Sequence, residues 1–135
     1  MRNPTELTQA FRARGLKITP QRQAIFRALH HNDRHPTAES VYESVVTEMP
    51  AISLRTVYQT LHDLAEMGEL HALDLGTGSV RFDPNVDDHH HIVCDRCATV
   101  RDVQLDIASL DAPAFQDFRV DSTQVIFRGR CTACA

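Results

Sequence analysis

In the N-terminal half of the chain, apolar residues recur at intervals of three and four, the period of an amphipathic helix. The pattern covers residues 4–14, residues 20–30, residues 38–49 and a segment that begins after Ser53. Thr19, Thr37 and Ser53 precede the last three segments, where a side-chain oxygen can accept from the free backbone N–H groups of a first turn. The pattern therefore predicts four helices, three of them with an N-cap.

The fourth segment predicts a helix with two distinct faces. Its apolar face is Leu54, Val57, Tyr58, Leu61 and Leu64, which we expect to be buried. The positions left facing outward are polar: Arg55, Thr56, Gln59 and Thr60.

After Gly68 the apolar period changes to two, which indicates strands. Leu73 and Leu75 precede a Gly-Thr-Gly-Ser turn, and Val80 and Phe82 follow it. Helices joined by a tight turn and followed by a β-hairpin are typical of a winged helix-turn-helix, which places its second helix in the major groove of DNA. The alternative is a small three-helix domain that binds protein through a solvated polar face.

Residues 84–135 predict a smaller α/β unit. Strand patterns cover 99–105 and 123–130, and a short helical pattern, interrupted by Pro113, covers 107–118. Because these elements are too few to bury a core alone, we expect this unit to pair with a second copy. The predicted fold class is α+β, with a winged helix-turn-helix domain at 1–83 and a zinc-containing α/β dimerisation domain at 84–135.

The net charge of −4 is unevenly distributed along the chain. Residues 1–30 contain six basic side chains and one acidic one, whereas residues 83–135 contain nine Asp and five Arg. A cationic segment before and within the predicted helix-turn-helix favours DNA binding, and bound cations would offset the acidic half.

Thiol, imidazole and carboxylate side chains cluster in the second unit. Cys94 and Cys97 form one Cys-x-x-Cys pair and Cys131 and Cys134 form another, and the chain has no other cysteine. Two such pairs supply the four thiolates of a structural Zn²⁺ site, although two disulfides or a redox dithiol are alternatives. In the extended run from residue 87 to residue 97, His89 and His91 point to the face opposite His90, so they can share a second metal ion.

These motifs together resemble the ferric uptake regulator (Fur) superfamily of metal-dependent bacterial repressors. The resemblance covers nearly the whole chain and rests on the following segments: Leu-Lys-Ile-Thr-Pro-Gln-Arg at 16–22, His-Pro-Thr-Ala at 35–38, Thr-Val-Tyr at 56–58 with Leu61, Arg-Phe-Asp at 81–83, His-His-His-Ile-Val-Cys at 89–94, and the two cysteine pairs. It implies a winged helix joined by a hinge to a dimerisation domain. It also implies a structural Zn²⁺ and a regulatory metal at the hinge.

The resemblance also assigns the ligands of the regulatory metal. They fall on His35, Asp83, His89, His91 and Asp102; spacing alone indicates only His89 and His91. Imidazole and carboxylate donors without a thiolate suit Fe²⁺ or Mn²⁺. The peroxide-sensing branch, similar to PerR, has Asp at both carboxylate positions, as this chain does. We therefore expect a peroxide sensor in which His35 and His89 are the oxidation targets.

The same resemblance guides the remaining predictions of binding sites. Many family members have a third, His-rich site, but Ser109, Ser122 and Thr123 stand near its expected ligand positions, so we predict no third site and a solvated His90. The other histidines are predicted to be exposed or capping residues. The predicted DNA-binding residues are Lys17, Arg22, Arg55, Thr56, Tyr58 and Gln59.

These features predict a cytoplasmic, homodimeric transcriptional repressor that binds an inverted-repeat operator in double-stranded DNA and no membrane. The main alternative hypothesis is a regulator of iron or another divalent metal without peroxide chemistry. Two further alternatives are a mononuclear iron enzyme that turns over peroxide and a zinc adaptor that binds only protein. Because the chain has no nucleophile–base pair and no phosphate loop, we expect no enzymatic activity.

Overall fold

The computed structural model describes residues 1–107 and 116–135. The chain divides into two compact units, Met1–Val86 and Asp87–Ala135. The first contains four helices and a two-stranded sheet, and the second contains a three-stranded sheet. The predicted α+β class is therefore confirmed. Within the described ranges, every helix is too short or too polar to span a lipid bilayer.

The four predicted helices are present as α1 (Pro4–Ala13), α2 (Pro20–Leu29), α3 (Ala38–Val46) and α4 (Leu54–Glu66). The three predicted N-caps, Thr19, Thr37 and Ser53, each accept a hydrogen bond from the backbone N–H three residues on. Helix α1 has a cap that the apolar pattern did not indicate. Asn3 and Glu6 form a reciprocal capping box at its start.

Fifteen buried apolar residues form the core of the first unit, drawn mainly from all four helices. Val57, Leu61 and Leu64 of α4 belong to it as predicted, but Leu54 and Tyr58 are 37% and 46% exposed. Thr60, predicted to face outward, is fully buried, and its hydroxyl donates to the carbonyl of Thr56 at 2.8 Å. The buried stripe of α4 is thus rotated toward Thr60. This rotation leaves the Tyr58 ring on the outer surface.

The predicted hairpin is formed by β1 (His71–Leu73) and β2 (Arg81–Asp83), which pair antiparallel. Gly76 and Gly78 adopt φ of 69° and 92° in the turn region, values that L side chains rarely take. Phe82 packs into the core, whereas Val80, which shares its alternation, is 45% exposed because it precedes the paired segment.

The second unit is a sheet of β3 (His90–Cys94), β4 (Val100–Val103) and β5 (Ile126–Gly129), in the order β4-β3-β5. Strand β3 pairs antiparallel with β4 and parallel with β5. Both predicted strand segments therefore contain a strand. Most of the helix predicted for 107–118, together with Ser109, lies outside the described residues.

His90 is buried, so the prediction that it is solvated was wrong. The chain entering β5 passes beside β3, and the N–H of Val125 donates to His90 Nδ1 at 3.0 Å. The sequence could not indicate this contact, because it depends on a parallel pairing between segments more than 30 residues apart.

Candidate metal centres and nucleic-acid surface

The four cysteines lie together in the second unit. Cys94 ends β3 and Cys97 lies in the turn that follows, while Cys131 and Cys134 form a second turn just after β5. Because β3 and β5 are parallel neighbours, their carboxyl ends bring the two turns to the same edge of the sheet. One ligand atom from each cysteine lies within 4.8 Å of the others.

The spacing of the sulfurs fits a tetrahedral metal ion. Cys97 Sγ and Cys131 Sγ are 3.8 Å apart, and all four thiols are free. A disulfide would require about 2.05 Å. Zinc–sulfur bonds of about 2.3 Å at the tetrahedral angle place neighbouring sulfurs about 3.8 Å apart. The geometry thus matches a closed structural zinc site rather than two disulfides.

The surroundings of the sulfurs favour loss of the proton from Cys94 and Cys97 and its retention on Cys134. Backbone N–H groups of Cys131, Cys97 and Arg96 point at the Cys94 sulfur and lower its pKa to about 6. Hydrogen bonds with Thr99 lower the pKa of Cys97, whereas hydrogen bonding to the Cys131 and Cys97 sulfurs raises the pKa of Cys134 to about 12. A divalent cation held by the four sulfurs would replace these protons, as expected for a thiolate site.

A second group of donors lies on the other end of the same sheet. His91 on β3 is directly opposite Asp102 on β4 in the antiparallel register. The Nε2 atoms of His89 and His91 lie 3.2 Å and 3.6 Å from the same Asp102 oxygen, and the two rings are 4.6 Å apart. Donors bound to one ion at about 2.1 Å stand about 3.0–3.4 Å apart. The three side chains are therefore spaced as neighbours around one metal ion.

Two residues that the sequence did not single out orient these imidazoles. His89 Nδ1 lies 2.6 Å from the carbonyl of Asp87, and because a carbonyl can only accept, Nδ1 carries a proton, which leaves Nε2 as the nitrogen that can bind a metal. The side-chain amide of Gln124 lies 2.9 Å from His91 Nδ1. Such partners fix the ring and tautomer of a metal-binding histidine. No local pattern could reveal Gln124, which arrives through the β3–β5 pairing.

The first unit contributes a buried His–Asp pair. His35 Nε2 lies 3.3 Å from Asp83 Oδ2, and both side chains are at most 2% exposed. The loop before α3 is bound to β2, because Arg81 donates to the carbonyl of His35 at 3.1 Å and Phe82 N–H donates to Pro36 at 2.9 Å. His35 adopts φ of 52°, a left-handed conformation that costs a non-glycine residue about 1–3 kcal/mol. The fold thus holds this imidazole against the carboxylate.

Both groups have the donor chemistry of a divalent transition-metal site. Neutral imidazole and carboxylate oxygen suit Fe²⁺, Mn²⁺ and related ions, and neither group includes a thiolate. The residues present therefore fit the metal that the resemblance implies.

The predicted DNA-binding residues lie in the first unit. Arg55, Tyr58 and Gln59 are exposed on α4, Thr56 is half-buried, and Lys17 is exposed in the loop before α2. The hydroxyl of Tyr58 donates to the Glu39 carboxylate at 2.7 Å. Arg22 differs from the others, because its side chain is only 16% exposed and makes several intramolecular contacts. The outer face of α4 is thus polar and accessible.

Comparison with known proteins places the chain in a family. Residues 13–127 match the model of the ferric uptake regulator family. A peroxide-responsive repressor PerR from Staphylococcus epidermidis is 36% identical over 132 residues, which cover 96% of this chain and 88% of the relative.

Solved structures share the same fold. The ferric uptake regulator Fur of Helicobacter pylori aligns with a TM-score of 0.78 at 18% identity, covering 96% of this chain and 89% of that one. A zinc-bound manganese uptake regulator aligns with a TM-score of 0.72 at 25% identity, covering 96% and 99%. With the family model spanning most of its length and relatives at this identity, the chain belongs to the ferric uptake regulator family.

Proposed function

We propose that this protein is a homodimeric, metal-dependent transcriptional repressor that senses peroxide through oxidation of a ligand histidine. The main support for this proposal is the cluster of His89, His91 and Asp102, whose donor atoms are spaced to fit one divalent ion. Support comes also from the family and from the 36% identical relatives that are named peroxide-responsive repressors.

The structural ion in this proposal is Zn²⁺, held by Cys94, Cys97, Cys131 and Cys134. The 3.8 Å sulfur separation and the free thiols support that role. Because two turns remote in sequence supply the thiolates, these cysteines would hold the turn after β5 to the turn after β3 when zinc is bound.

The regulatory ion, Fe²⁺ or Mn²⁺, would take His35 and Asp83 from the first unit and His89, His91 and Asp102 from the second. This combination rests on the family resemblance and on the matching donor chemistry of the two groups. Five protein ligands would leave room for a small molecule to bind as a sixth ligand. Ligands drawn from both units would make DNA binding depend on the metal.

DNA recognition is assigned to the first unit, with α4 in the major groove and the cationic first segment at the phosphates. Exposed Arg55, Tyr58 and Gln59 would face base edges, and Lys17 would contact the backbone. A two-fold dimer reads an inverted repeat, since each copy presents the same helix to one half-site.

The peroxide chemistry depends on the metal. Fe²⁺ held by the proposed ligand residues would supply the one-electron chemistry that cleaves the O–O bond of peroxide, so that overall one oxygen atom of hydrogen peroxide adds to an imidazole ring and the other leaves as water, whereas Mn²⁺ does not readily do this chemistry. The contact of His89 Nδ1 with the Asp87 carbonyl supports this assignment, because it fixes the orientation of the ring. An oxidised imidazole at His35 or His89 is a poorer donor, so the metal is lost and DNA is released.

Peptide mass mapping tests this proposal. Cleavage after arginine yields peptides 35–55 and 82–96, which carry His35 and His89. We expect one equivalent of peroxide to add the mass of one oxygen atom to either peptide in the Fe²⁺ form and to neither in the Mn²⁺ form. Fragmentation of peptide 82–96 should locate no added oxygen on His90, because this buried residue is outside the proposed ligand set.

Replacing Asp102 by Glu is the matched variant. The longer carboxylate can chelate the ion and close the open position, so metal-dependent DNA binding should persist while most of the peroxide response is lost. If the Fe²⁺ form releases and rebinds metal reversibly and its histidines stay unmodified after peroxide, the protein is instead a regulator of metal uptake.

A further inference from the structure

Arg22 lies at the centre of a polar chain that links two elements of the first unit. Its Nη1 donates to the Lys17 carbonyl at 2.8 Å, and its Nη2 lies 3.1 Å from Asp63 Oδ2. The other oxygen of Asp63 accepts from Gln59 Nε2 at 3.0 Å. The chain of contacts therefore runs from the loop before α2 to the outer face of α4.

The guanidinium is held on several sides. It stands 5.4 Å above the ring of fully buried Phe11, and the Arg22 and Asp63 side chains are only 16% and 13% exposed. The Asp63 carboxylate offsets its charge nearby, and an ion pair this sheltered is screened less by salt than an exposed one. Little of this cation is available to a phosphate.

Lys17 and Gln59, at the two ends of this series of contacts, are exposed residues with a proposed role in DNA binding. Lys17 follows Gly15, which adopts φ of 73°, in the short connection between α1 and α2. The Arg22 contact fixes the backbone carbonyl of Lys17 itself. Gln59 is one turn before Asp63 on α4, so the same carboxylate orients its amide.

We infer that Arg22 is a positioning residue that sets Lys17 and Gln59 in register with each other, and that it does not itself contact phosphate. This inference rests on the proposed DNA-binding function. It also predicts that Asp63 increases the affinity for DNA, although it is an acid beside a DNA-binding surface.

Salt dependence separates positioning from direct contact. Each neutralised phosphate contributes about 0.9 to the slope of log affinity against log salt. If Arg22 acts through Lys17, the Lys17→Ala/Arg22→Gln double variant should have the slope of Lys17→Ala alone. A direct phosphate contact instead predicts a further loss of about 0.9 in the double variant. That loss, or an unchanged slope in Lys17→Ala alone, would overturn the inference.

Asp63→Ala separates the two hypotheses for Arg22, positioning and direct phosphate contact, because they predict opposite changes in DNA affinity. Positioning predicts an affinity for DNA weaker by about threefold or more, because Arg22 and Gln59 both lose the hydrogen-bond partner that they share. Direct contact predicts equal or tighter binding, because a negative charge is removed and Arg22 is released. Arg27→Gln is the matched control: Arg27 is also on α2 and pairs with Glu48, but both side chains are at least half exposed. It should change affinity less than Arg22→Gln does.

Backbone relaxation measured without DNA keeps this inference distinct from the proposed function. In Arg22→Gln we expect the order parameter of the Ile18 amide, which shares a peptide plane with the Lys17 carbonyl, to fall from about 0.85 toward about 0.6, since the loop loses its tie to α4. An unchanged value would refute the positioning role even if DNA binding holds. A wild-type protein with the ordered loop and no DNA affinity would refute only the proposed function. If Asp63→Ala does not unfold cooperatively on heating, the variant is not folded. The comparison of salt slopes between Lys17→Ala and the Lys17→Ala/Arg22→Gln double variant then decides alone.

Discussion

Replacing Cys131 by Ser should release the structural zinc and unfold the second unit while the first remains folded. Within 87–107 and 116–135, the only buried apolar side chains besides the ligand Cys94 are Val93 and Val100. At about 1.5–3 kcal/mol each, they contribute about 3–6 kcal/mol. A structural zinc site contributes about 10–16 kcal/mol, so most of the stability of this unit depends on the ion.

Hydrogen exchange read by mass spectrometry measures this loss unit by unit. The first unit has fifteen buried core residues of its own, so its amides should keep their protection in Cys131→Ser. Amides of β3, β4 and β5 should exchange at the rate of an unfolded chain. Thr132→Ser, a change in the same turn that leaves all four thiols in place, should keep both zinc and protection. A Cys131→Ser protein with one zinc per chain and a protected β3 would refute the reasoning.

Two further predictions concern the first unit. Lys17→Ala should weaken binding to all DNA sequences and lower the salt slope by about 0.9, whereas Arg55→Ala should alter sequence preference; equal loss on all sequences for both variants would contradict the assignment of Arg55 to base edges. The Tyr58 hydrogen bond lowers the pKa of Glu39 and raises that of Tyr58. This link therefore stabilises the fold above the ordinary pKa of Glu39 and is lost as pH falls through the lowered value; at the alkaline end it is lost as pH rises through the raised pKa of Tyr58. In a Tyr42→Phe background, ultraviolet titration of Glu39→Gln should show the pKa of Tyr58 returning toward its ordinary value, and an unchanged titration would exclude the link.

Local signals predicted the helices and strands well. Period and capping residues located the four helices, because Thr19, Thr37 and Ser53 act within one turn of their own backbone. The face that α4 buries was harder to predict. Tyr58 lies at the apolar spacing of α4 but is half exposed, since the packing of α2 and α3 against α4 decides which side is covered.

Tertiary pairing decided what the sequence could not reveal at the sites. The Cys-x-x-Cys spacing predicts each thiol pair, but only the parallel pairing of β3 with β5 brings the two pairs together. The same pairing buries His90 and brings Gln124 to His91. The ties of Arg22 to Lys17 and Asp63 span up to 41 residues, which no periodicity reports.

Control of DNA binding by a regulatory metal can be tested by measuring the operator affinity of one zinc-containing preparation with and without added Mn²⁺. We expect tight, sequence-specific binding to an inverted repeat only in the Mn²⁺ form, with loss of that binding in His91→Ala although its zinc content is unchanged. Mn²⁺ is the appropriate ion because it spares the histidines from peroxide. Equal affinity in both forms, or full Mn²⁺ dependence in His91→Ala, would contradict this expectation.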